Sequence, residues 1–558
     1  MEDMQGVLAG EKIAYFSMEI GIRNEIPTYS GGLGVLAGDT IRTCADLNIP
    51  LVAVTLVSRR GYFQQELDAQ GRQTEHPQEW DPSKFMKLLD QKVTVHIQGR
   101  EVNVGAWLYR LQSLSGREVP VIFLDTDVDG NGPGDREITY YLYGGDQRYR
   151  LKQEMVLGIG GVRMLRALGF RVRKYHMNEG HSSLLALELL NNHGKKAEEI
   201  KDLCIFTTHT PVEAAQDRFP YALVRDLLGS GADMEMLKRY GGEDELNMTR
   251  LALNVSNYIN GVAKRHSEIS MAMFPGYQIH AITNGVHPYT WTCPCFRKLY
   301  DQYIPGWANE PEKLVRVEII PDEDIWEVHR GAKKTLIDLV NSQTDAGMDY
   351  DTLTLGFARR ATEYKRPTFI FSDLNRLRKV NRRGRVQIIM AGKAHPKDVP
   401  GKKEIESIFG YIKALKGEIK VCYLSNYDMN LASKMVSGVD VWLNTPLPPQ
   451  EASGTSGMKA SFNGVVNFSV LDGWWIEGWI EGVNGWSIGP EPDEKASPEE
   501  RRIRELDDLY NKLEYVIIPI FYHRRDVWIG KMNGSIGTIA YYFNSHRMMR
   551  RYVTEAYL

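Results

Sequence analysis

The stretch TLTLGFARRATEYKRP, residues 352–367, passes from apolar to cationic without a break. Its first half has the length and the aliphatic, β-branched composition of a strand buried on both faces. Its second half places Arg359, Arg360, Lys365 and Arg366 directly after that strand. Such a charge run is usually a solvated face. At the carboxyl end of a strand, however, arginine with lysine is a natural pair for binding phosphate.

Runs of the same kind recur on both sides: IPLVAVTLV (49–57), VPVIFLD (119–125), DLCIFTTHT (202–210), RVQIIMAGK (385–393) and IKVCYLS (419–425). Amphipathic stretches separate them, and most lead into polar or glycine-bearing turns, which is the pattern of a parallel sheet with crossover helices. The fold class expected is α/β. A chain of 558 residues exceeds what one core supports. Two Rossmann-like sheets follow, the first with the strands up to residue 210 and the second with those from 352 onward. In such sheets active groups gather at the carboxyl ends of strands, which places the expected active site in the cleft between two domains. TNGVHPYTWTCPC (283–295), with two prolines and a glycine, is the expected crossover. The expected limits are 1–290 for the N-terminal domain and 291–540 for the C-terminal one, with a last helix over 541–558 crossing back. GPEPDEKASPEE (489–500) reads as a loop entering a helix, with Ser497 as N-cap and Pro498 at the first position.

Composition excludes several classes. The chain is 43% hydrophobic and 25% charged with a net charge of −3, which argues against a nucleic-acid binder. NRLRKVNRRGR (375–385) is then a solvated helix end. The N-terminus, MEDMQGVLAGEKIAYFSMEIG, lacks a signal-peptide core, and no apolar run is long enough to span a bilayer, so a cytoplasmic protein with no membrane partner is expected. Five scattered cysteines make no disulfide framework, and Cys293 and Cys295 in TCPC lack a second pair for zinc, so reduced structural thiols are expected.

Several constellations could carry chemistry. EASGTSGMKASFNG (451–464) sets Lys459 among small residues. The lysine could run its stem along an apolar surface to water. A desolvated lysine could instead form a Schiff base with a carbonyl cofactor, with the Gly454, Thr455, Ser456, Gly457 run as a phosphate cradle. That combination suggests pyridoxal phosphate. TYSGGLGVLAGD (28–39) joins a glycine turn to a helix, where Gly31, Gly32 and Gly34 serve either packing or anion binding. The histidine segments YHMNEGHSS (175–183) and FTTHTPVEA (206–214) lack ligand-like spacing, so no metal is expected. DTDVDGNGPGDREI begins like a calcium loop at Asp125, Asp127 and Asp129, but its twelfth position is Arg136 where glutamate is required. VLDGWWIEGWIEGVNGWSIG (470–489) holds four of eleven tryptophans, for core packing or for sugar stacking.

Taken in order, YFSMEIGI (15–22), GGLG, RLKQE (150–154), HTPVEA, NGVAKRHSEI (260–269), NGVHPYTW, EYKRP and EASGTSGMK make a series that resembles the α-glucan phosphorylase family (glycogen, maltodextrin and starch phosphorylases), in a short form. The resemblance implies a GT-B fold and cleavage of α-1,4-glucans by inorganic phosphate, releasing α-glucose 1-phosphate with retention. It implies that Lys459 holds pyridoxal 5′-phosphate, whose phosphate is the proton partner of the substrate phosphate. Tyr427, Trp291, Arg359, Thr455, Ser456, Gly457 and Gly32 would line the cofactor. Arg360 and Lys365 would bind the substrate phosphate, helped by the backbone of Gly31 and Gly32. His209, Asn284, Glu451, Ser453 and Gly454 would hold the terminal glucose, with Leu33, Glu179 and His181 also facing substrate. The main-chain carbonyl of His209 would support the developing sugar charge. By the same resemblance the N-terminal domain binds glucan and phosphate and the C-terminal domain binds the cofactor.

Departures from the family pattern fall at the cofactor pocket. Asp428 replaces an arginine, and Ser456 and Gly457 replace glycine and asparagine. YLYGGDQRY (141–149) differs too much from the glucose-seating loop of longer relatives for a residue assignment. The chain begins almost at the first catalytic motif, so no counterpart of the amino-terminal control region is expected, and a homodimer is left open. A nucleotide-sugar glucosyltransferase of the glycogen or starch synthase kind shares the fold but has no cofactor lysine. A non-catalytic glucan-binding protein would not explain Lys459, Arg360 and Lys365 together. An aminotransferase-type enzyme would not need a second phosphate site.

Overall fold

A computed structural model describes residues 8–192, 197–229 and 232–558. The chain divides into two compact units: Met1–Phe63, Pro77–Thr283 and Met548–Leu558 form the first, and Gln64–His76 with Asn284–Arg547 the second. Two Rossmann-like sheets in one α/β chain make this the GT-B fold class.

In the first unit the strands are β1 (Glu11–Phe16), β2 (Leu51–Leu56), β3 (Lys87–Leu88), β4 (Val93–Ile97), β5 (Arg100–Gln112), β6 (Glu118–Asp125), β7 (Arg171–Asn178), β8 (Cys204–Thr207), β9 (Tyr258–Gly261) and β10 (His280–Ala281). They form one sheet in the order β10-β9-β8-β7-β1-β2-β6-β5-β3, with β4 paired to β5. From β10 through β6 the sheet is parallel, and β5 turns antiparallel against β6. Every residue of LVAVTL in β2 is buried, as a strand covered on both faces requires. Helix α1 (Gly32–Asp46) crosses from β1 to β2. The chain leaves β1 toward β2 on one side and returns at β7 on the other, so β1/β7 is the switch point of this sheet.

The sheet runs on to residue 281, beyond the limit of 210 expected from sequence. Strands β9 and β10 have only four and two residues, too few to show a periodicity. The segment Met548–Leu558 joins this unit's core: Met548, Met549, Tyr552, Ala556 and Tyr557 pack with Ile13, Tyr15 and Ile41. Tyr557 OH bonds His176 Nδ1 at 2.8 Å on β7.

In the second unit the strands are β11 (Leu353–Ala358), β12 (Val386–Ala391), β13 (Lys420–Leu424), β14 (Val441–Asn444), β15 (Val466–Val470) and β16 (Gly485–Ile488). Their order is β13-β12-β11-β14-β15-β16, all parallel, with the switch point between β11 and β14. The stretch 352–367 thus supplies the central strand, and all six strand residues are buried. Helices α2 (Pro294–Tyr303), α3 (Asp322–Gln343), α4 (Met429–Gly438) and the short α5 (Ser456–Ser461) belong to this unit. A hairpin from early in the chain also joins it: Gln64–Leu67 pairs with Gln73–His76. There Gln65 donates from Nε2 to Gly392 O at 2.9 Å and accepts Asn426 N–H at Oε1 at 2.8 Å.

Beneath this sheet lies a buried ionic cluster. Asp440 accepts from His329 Nε2 at 2.9 Å, from Lys333 Nζ at 2.5 Å and from the backbone N–H of Thr354 at 2.7 Å. It ties α3 to the start of β14 and to β11. Ser497 caps Pro498–Lys512 through a reciprocal bond with Glu500, as read from the sequence. No helix among the described residues is long and apolar enough to cross a membrane.

Candidate active site

In the second unit the cationic loop follows β11, the central strand at the switch point. Arg359 donates from Nη2 to Glu451 Oε2 at 2.5 Å, and its buried Nη1 has no hydrogen-bond partner. Lys365 ends the single turn Glu363–Lys365, donates to the same Glu451 oxygen at 2.5 Å and lies 4.5 Å from the Tyr364 ring centroid. Arg366 then takes a left-handed backbone (φ 47). Its guanidinium holds that conformation by donating to Thr445 O and Pro446 O, both at 2.8 Å, and by pairing with Glu505 at 2.7 Å. The loop after β11 is therefore pinned to the loop after β14, and Glu451 lies between two cations. Burial disfavours its charge, but Arg359 and Lys365 outweigh burial and bring its carboxyl down to about 2. Arg360 is exposed on the same loop.

Lys459 lies on α5 and is 7% exposed. Its Nζ sits 4.0 Å from the centroid of the Trp291 ring, and its N–H donates to Thr455 O. The lysine therefore does not run outward to water. Asn463 secures the arrangement by donating from Nδ2 to Trp291 O at 2.8 Å and to Lys459 O at 3.1 Å, while its Oδ1 accepts Cys293 N–H at 2.7 Å. The small residues have separate reasons. An added Cβ at Gly457 would lie 2.2 Å from Asn467 Oδ1, and Gly454 has φ +75. Ser456 Oγ accepts Trp442 Nε1–H at 2.9 Å, and Ser453 O accepts Trp474 N–H at 2.9 Å. The departure at Gly457 thus has a local cause, since Asn467 fills the space a side chain would take. Of the clustered tryptophans, Trp474, Trp475 and Trp486 are buried core residues.

Tyr427 follows β13, and burial pushes its phenol up while the charge of Arg359 opposes this. Asp428, a further departure, caps α4 by accepting Leu431 N–H at 2.8 Å. Lys393, after β12, is lowered to about 8 by burial, with Asp428 opposing. After β15, burial and then the charge of Glu451 raise Asp472 to about 7, although its oxygens accept from the backbone N–H of Glu451 and Gly473, each at 2.9 Å. Lys393, Asp472 and Asn463 were missed in the sequence. Only the strand-end position of the first two could have signalled them. Asn284 carries Arg547 Nη2 on its carbonyl at 2.9 Å, and its buried Oδ1 has no hydrogen-bond partner.

In the first unit the polar groups converge on the β1/β7 switch point. Glu19, after β1, accepts Ser30 N–H at 2.6 Å and Gly31 N–H at 3.2 Å, and Tyr143 OH donates to it at 2.9 Å. Gly31 caps α1 and its N–H is engaged, whereas Gly32 is exposed and Leu33 half-buried at the first turn. An added Cβ at Gly34 would lie 2.5 Å from Glu19 Oε2, so that glycine is required. Tyr143 comes from YLYGGDQRY, and its ring lies 4.3 Å from the guanidinium of Arg150, which pairs with Asp217 at 2.9 Å.

Glu179, after β7, has φ 76 and ψ 169, a backbone region that costs a non-glycine residue about 1–3 kcal/mol. Its carboxylate offsets that strain by accepting His209 N–H at 2.8 Å, the Thr210 hydroxyl at 3.0 Å and Gly180 N–H at 3.0 Å. His209 Nε2 in turn bonds Asn178 Oδ1 at 2.6 Å. His181 lies 3.5 Å from Asp217. The calcium-like loop is spanned by cations, Arg59 from after β2 on Asp125 and its own Arg136 on Asp127 and Asp129.

Burial is the first cause that lowers His176, His181 and His209, each to about 3. An unfolded chain takes up these protons near pH 6.5, whereas the folded unit refuses them until about pH 3. Stability is therefore lost as pH falls through that window. Each histidine is expected to cost about 2 kcal/mol between pH 7 and pH 5. Urea midpoints measured across this range should fall steeply, and because burial also lowers His266, to about 4, His176→Gln should flatten the histidine-driven slope by about a quarter. Equal midpoints at pH 7 and pH 5 would refute the assignment.

A family model described as carbohydrate phosphorylase matches residues 231–483. A maltodextrin phosphorylase of Thermococcus litoralis is 41% identical over 98% of this chain and 70% of its own length. A glycogen phosphorylase of Aquifex aeolicus is 37% identical over 98% and 86%, and one of Mycobacterium tuberculosis 36% over 98% and 70%.

Proposed function

Because this chain belongs to the carbohydrate phosphorylase family, we propose that it is an α-1,4-glucan phosphorylase, cleaving terminal α-1,4-glucosidic bonds of a maltodextrin, glycogen or starch chain with inorganic phosphate. The product is α-D-glucose 1-phosphate, formed with retention. The observation that carries the reading is the pair Arg359 and Lys365 on one buried carboxylate at the switch point, with an arginine nitrogen still unpartnered. A site of that kind is built for anions.

The residues fit pyridoxal 5′-phosphate. A buried primary amine lies on an aromatic face, and the unpartnered Arg359 Nη1 can take a phosphate oxygen. Lys459, Tyr427, Trp291, Arg359, Thr455, Ser456, Gly457 and Gly32 would hold it. When bound, it supplies through its 5′-phosphate a proton partner for the substrate phosphate. Arg360 and Lys365 bind that substrate phosphate and offset the repulsion between two neighbouring anions. Gly32 and Leu33 add backbone donors at the start of α1, and Gly31, whose own N–H is held by Glu19, caps that helix end. Asn284, Glu451, Ser453, Gly454 and His181 orient the terminal glucose. The main-chain carbonyl of His209 faces the positive charge that develops on the sugar, and Glu179 holds that carbonyl's loop in place. Phosphate gives its proton to the glycosidic oxygen and then closes onto the same face of the sugar. Excluding water from the buried groups favours phosphate over hydrolysis. The domain of residues 291–540 would hold most of the cofactor and, through Arg360 and Lys365, the substrate phosphate, the domain of residues 1–290 would bind the glucan, and the enzyme is assigned to the cytoplasm.

The test incubates purified protein and cofactor with maltoheptaose and phosphate and follows products by ³¹P NMR. Accumulation of the α-anomer of glucose 1-phosphate is expected, with no transfer from UDP- or ADP-glucose. Transfer from a nucleotide sugar alone would replace this reading with a synthase. Glucan binding without turnover would replace it with a binding protein.

A further inference from the structure

The TCPC motif plays no part in the reaction above, yet its two sulfurs are in contact. Cys293 Sγ and Cys295 Sγ lie 3.0 Å apart, on either side of the exposed Pro294 at the N-terminus of α2. Cys293 is buried at 6% exposure, whereas Cys295 is half-buried, its Sγ 3.7 Å from Val328 O. Among the described residues, no histidine, carboxylate or further cysteine completes a group of three with this pair. That leaves metal-ligand chemistry without a third donor and leaves dithiol chemistry open.

The pair is also unlike the other cysteines. Cys44, Cys204 and Cys422 are buried, and burial pushes each thiol up. At Cys295 the hydrogen bond from Cys293 outweighs burial and lowers the thiol, with Lys298 adding a smaller effect. The same contact and burial raise Cys293. One sulfur is thus poised to attack and its neighbour to resolve.

We propose that Cys293 and Cys295 are a redox-active dithiol, a modification site that exchanges with small disulfides. The thiolate of Cys295 attacks one sulfur of a disulfide RSSR, forming a Cys295–SR mixed disulfide and expelling RS⁻, which takes up a proton. Cys293 then gives up its proton and attacks Cys295 Sγ, breaking the bond to SR and releasing the second RS⁻, which is also protonated. Two protein thiols are oxidised by two electrons, and RSSR is reduced to two RSH. Closing the ring brings the sulfurs from 3.0 Å to bonding distance, about 2.05 Å, and so needs a shift of about 1 Å. The pair is also connected to the cofactor lysine, since Asn463 holds Cys293 N–H and the carbonyls of Trp291 and Lys459 with one side chain.

The full-length native protein is incubated with oxidised glutathione, its thiols are counted, and tryptic peptides are mapped by mass. The sequence holds five cysteines, and the count is expected to fall from five to three. The peptide ending at Arg297 should lose two hydrogens, and dithiothreitol should restore the count to five. Cys293→Ser is expected to stop at a glutathionyl adduct on Cys295, and Cys295→Ser to react about tenfold more slowly. An unchanged count of five in native protein would overturn the proposal. So would thiol loss spread over all the cysteines, a reading that needs no variant, or a Cys295→Ser protein that reacts as fast as the parent.

Discussion

Lys459→Ala is expected to lower kcat for phosphorolysis by at least about 10³-fold, some 4 kcal/mol of barrier, with the fold retained. The amine sits on the face of Trp291 with 7% exposure, so nothing else on α5 can supply a primary amine at that place. Truncation also removes a cation–π contact of about 0.5–2 kcal/mol, a modest cost beside the catalytic one. Lys459→Arg separates the two effects, because it keeps a cation over the ring and lacks the amine chemistry. It should be as inactive as the alanine variant and more stable. Borohydride reduction followed by mass mapping of 451–464 should place a pyridoxyl adduct on Lys459 in the parent and on neither variant. An unmodified lysine in cofactor-replete parent protein would remove the cofactor from the proposal.

Asp440→Ala is expected to destabilise the second unit by about 3–5 kcal/mol, because it leaves Lys333 buried with no counter-charge and His329 Nε2 without its hydrogen-bond partner. Burial raises the Asp440 carboxyl, and the larger combined action of Lys333 and His329 holds it below its ordinary value. The loss reaches β11 directly through the Thr354 N–H, so the central strand of the unit loses its anchor. A fall in the unit's melting temperature on the order of 10 °C should accompany it. The double change Asp440→Leu with Lys333→Met should recover much of the stability, since replacing a whole buried ion pair by apolar groups of similar volume is often neutral. If the single alanine variant melts with the parent, the cluster does not hold the sheet.

These two positions show different degrees of legibility. Lys459 stands out in sequence because small residues isolate it, and the strand before Arg359 and Lys365 is plain from the aliphatic, β-branched run LTLGFA. Asp440 and Lys333 lie over a hundred residues apart, and no local pattern links them. In sequence Asp428 reads only as a departure from the family pattern at the cofactor pocket, whereas in the fold it caps α4 and acts on Lys393, which only the packing of two strand ends reveals. Likewise YLYGGDQRY differs too much from the glucose-seating loop of longer relatives for a residue assignment, while Tyr143 within it reaches Glu19 and Arg150.

What the sequence determined by itself is the class of the fold and the kind of chemistry. Buried parallel strands impose continuous apolar runs, and cations placed after such strands are local along the chain. What only the tertiary structure decided is which groups meet. Glu451 between Arg359 and Lys365, Glu179 beneath the His209 loop, the hairpin 64–76 in the second unit and the C-terminal tyrosines against His176 all depend on contacts between segments distant in the chain. Periodicity reports how a residue faces its own element. Which partner lies opposite depends on strand order, and strand order is a property of the assembled sheet.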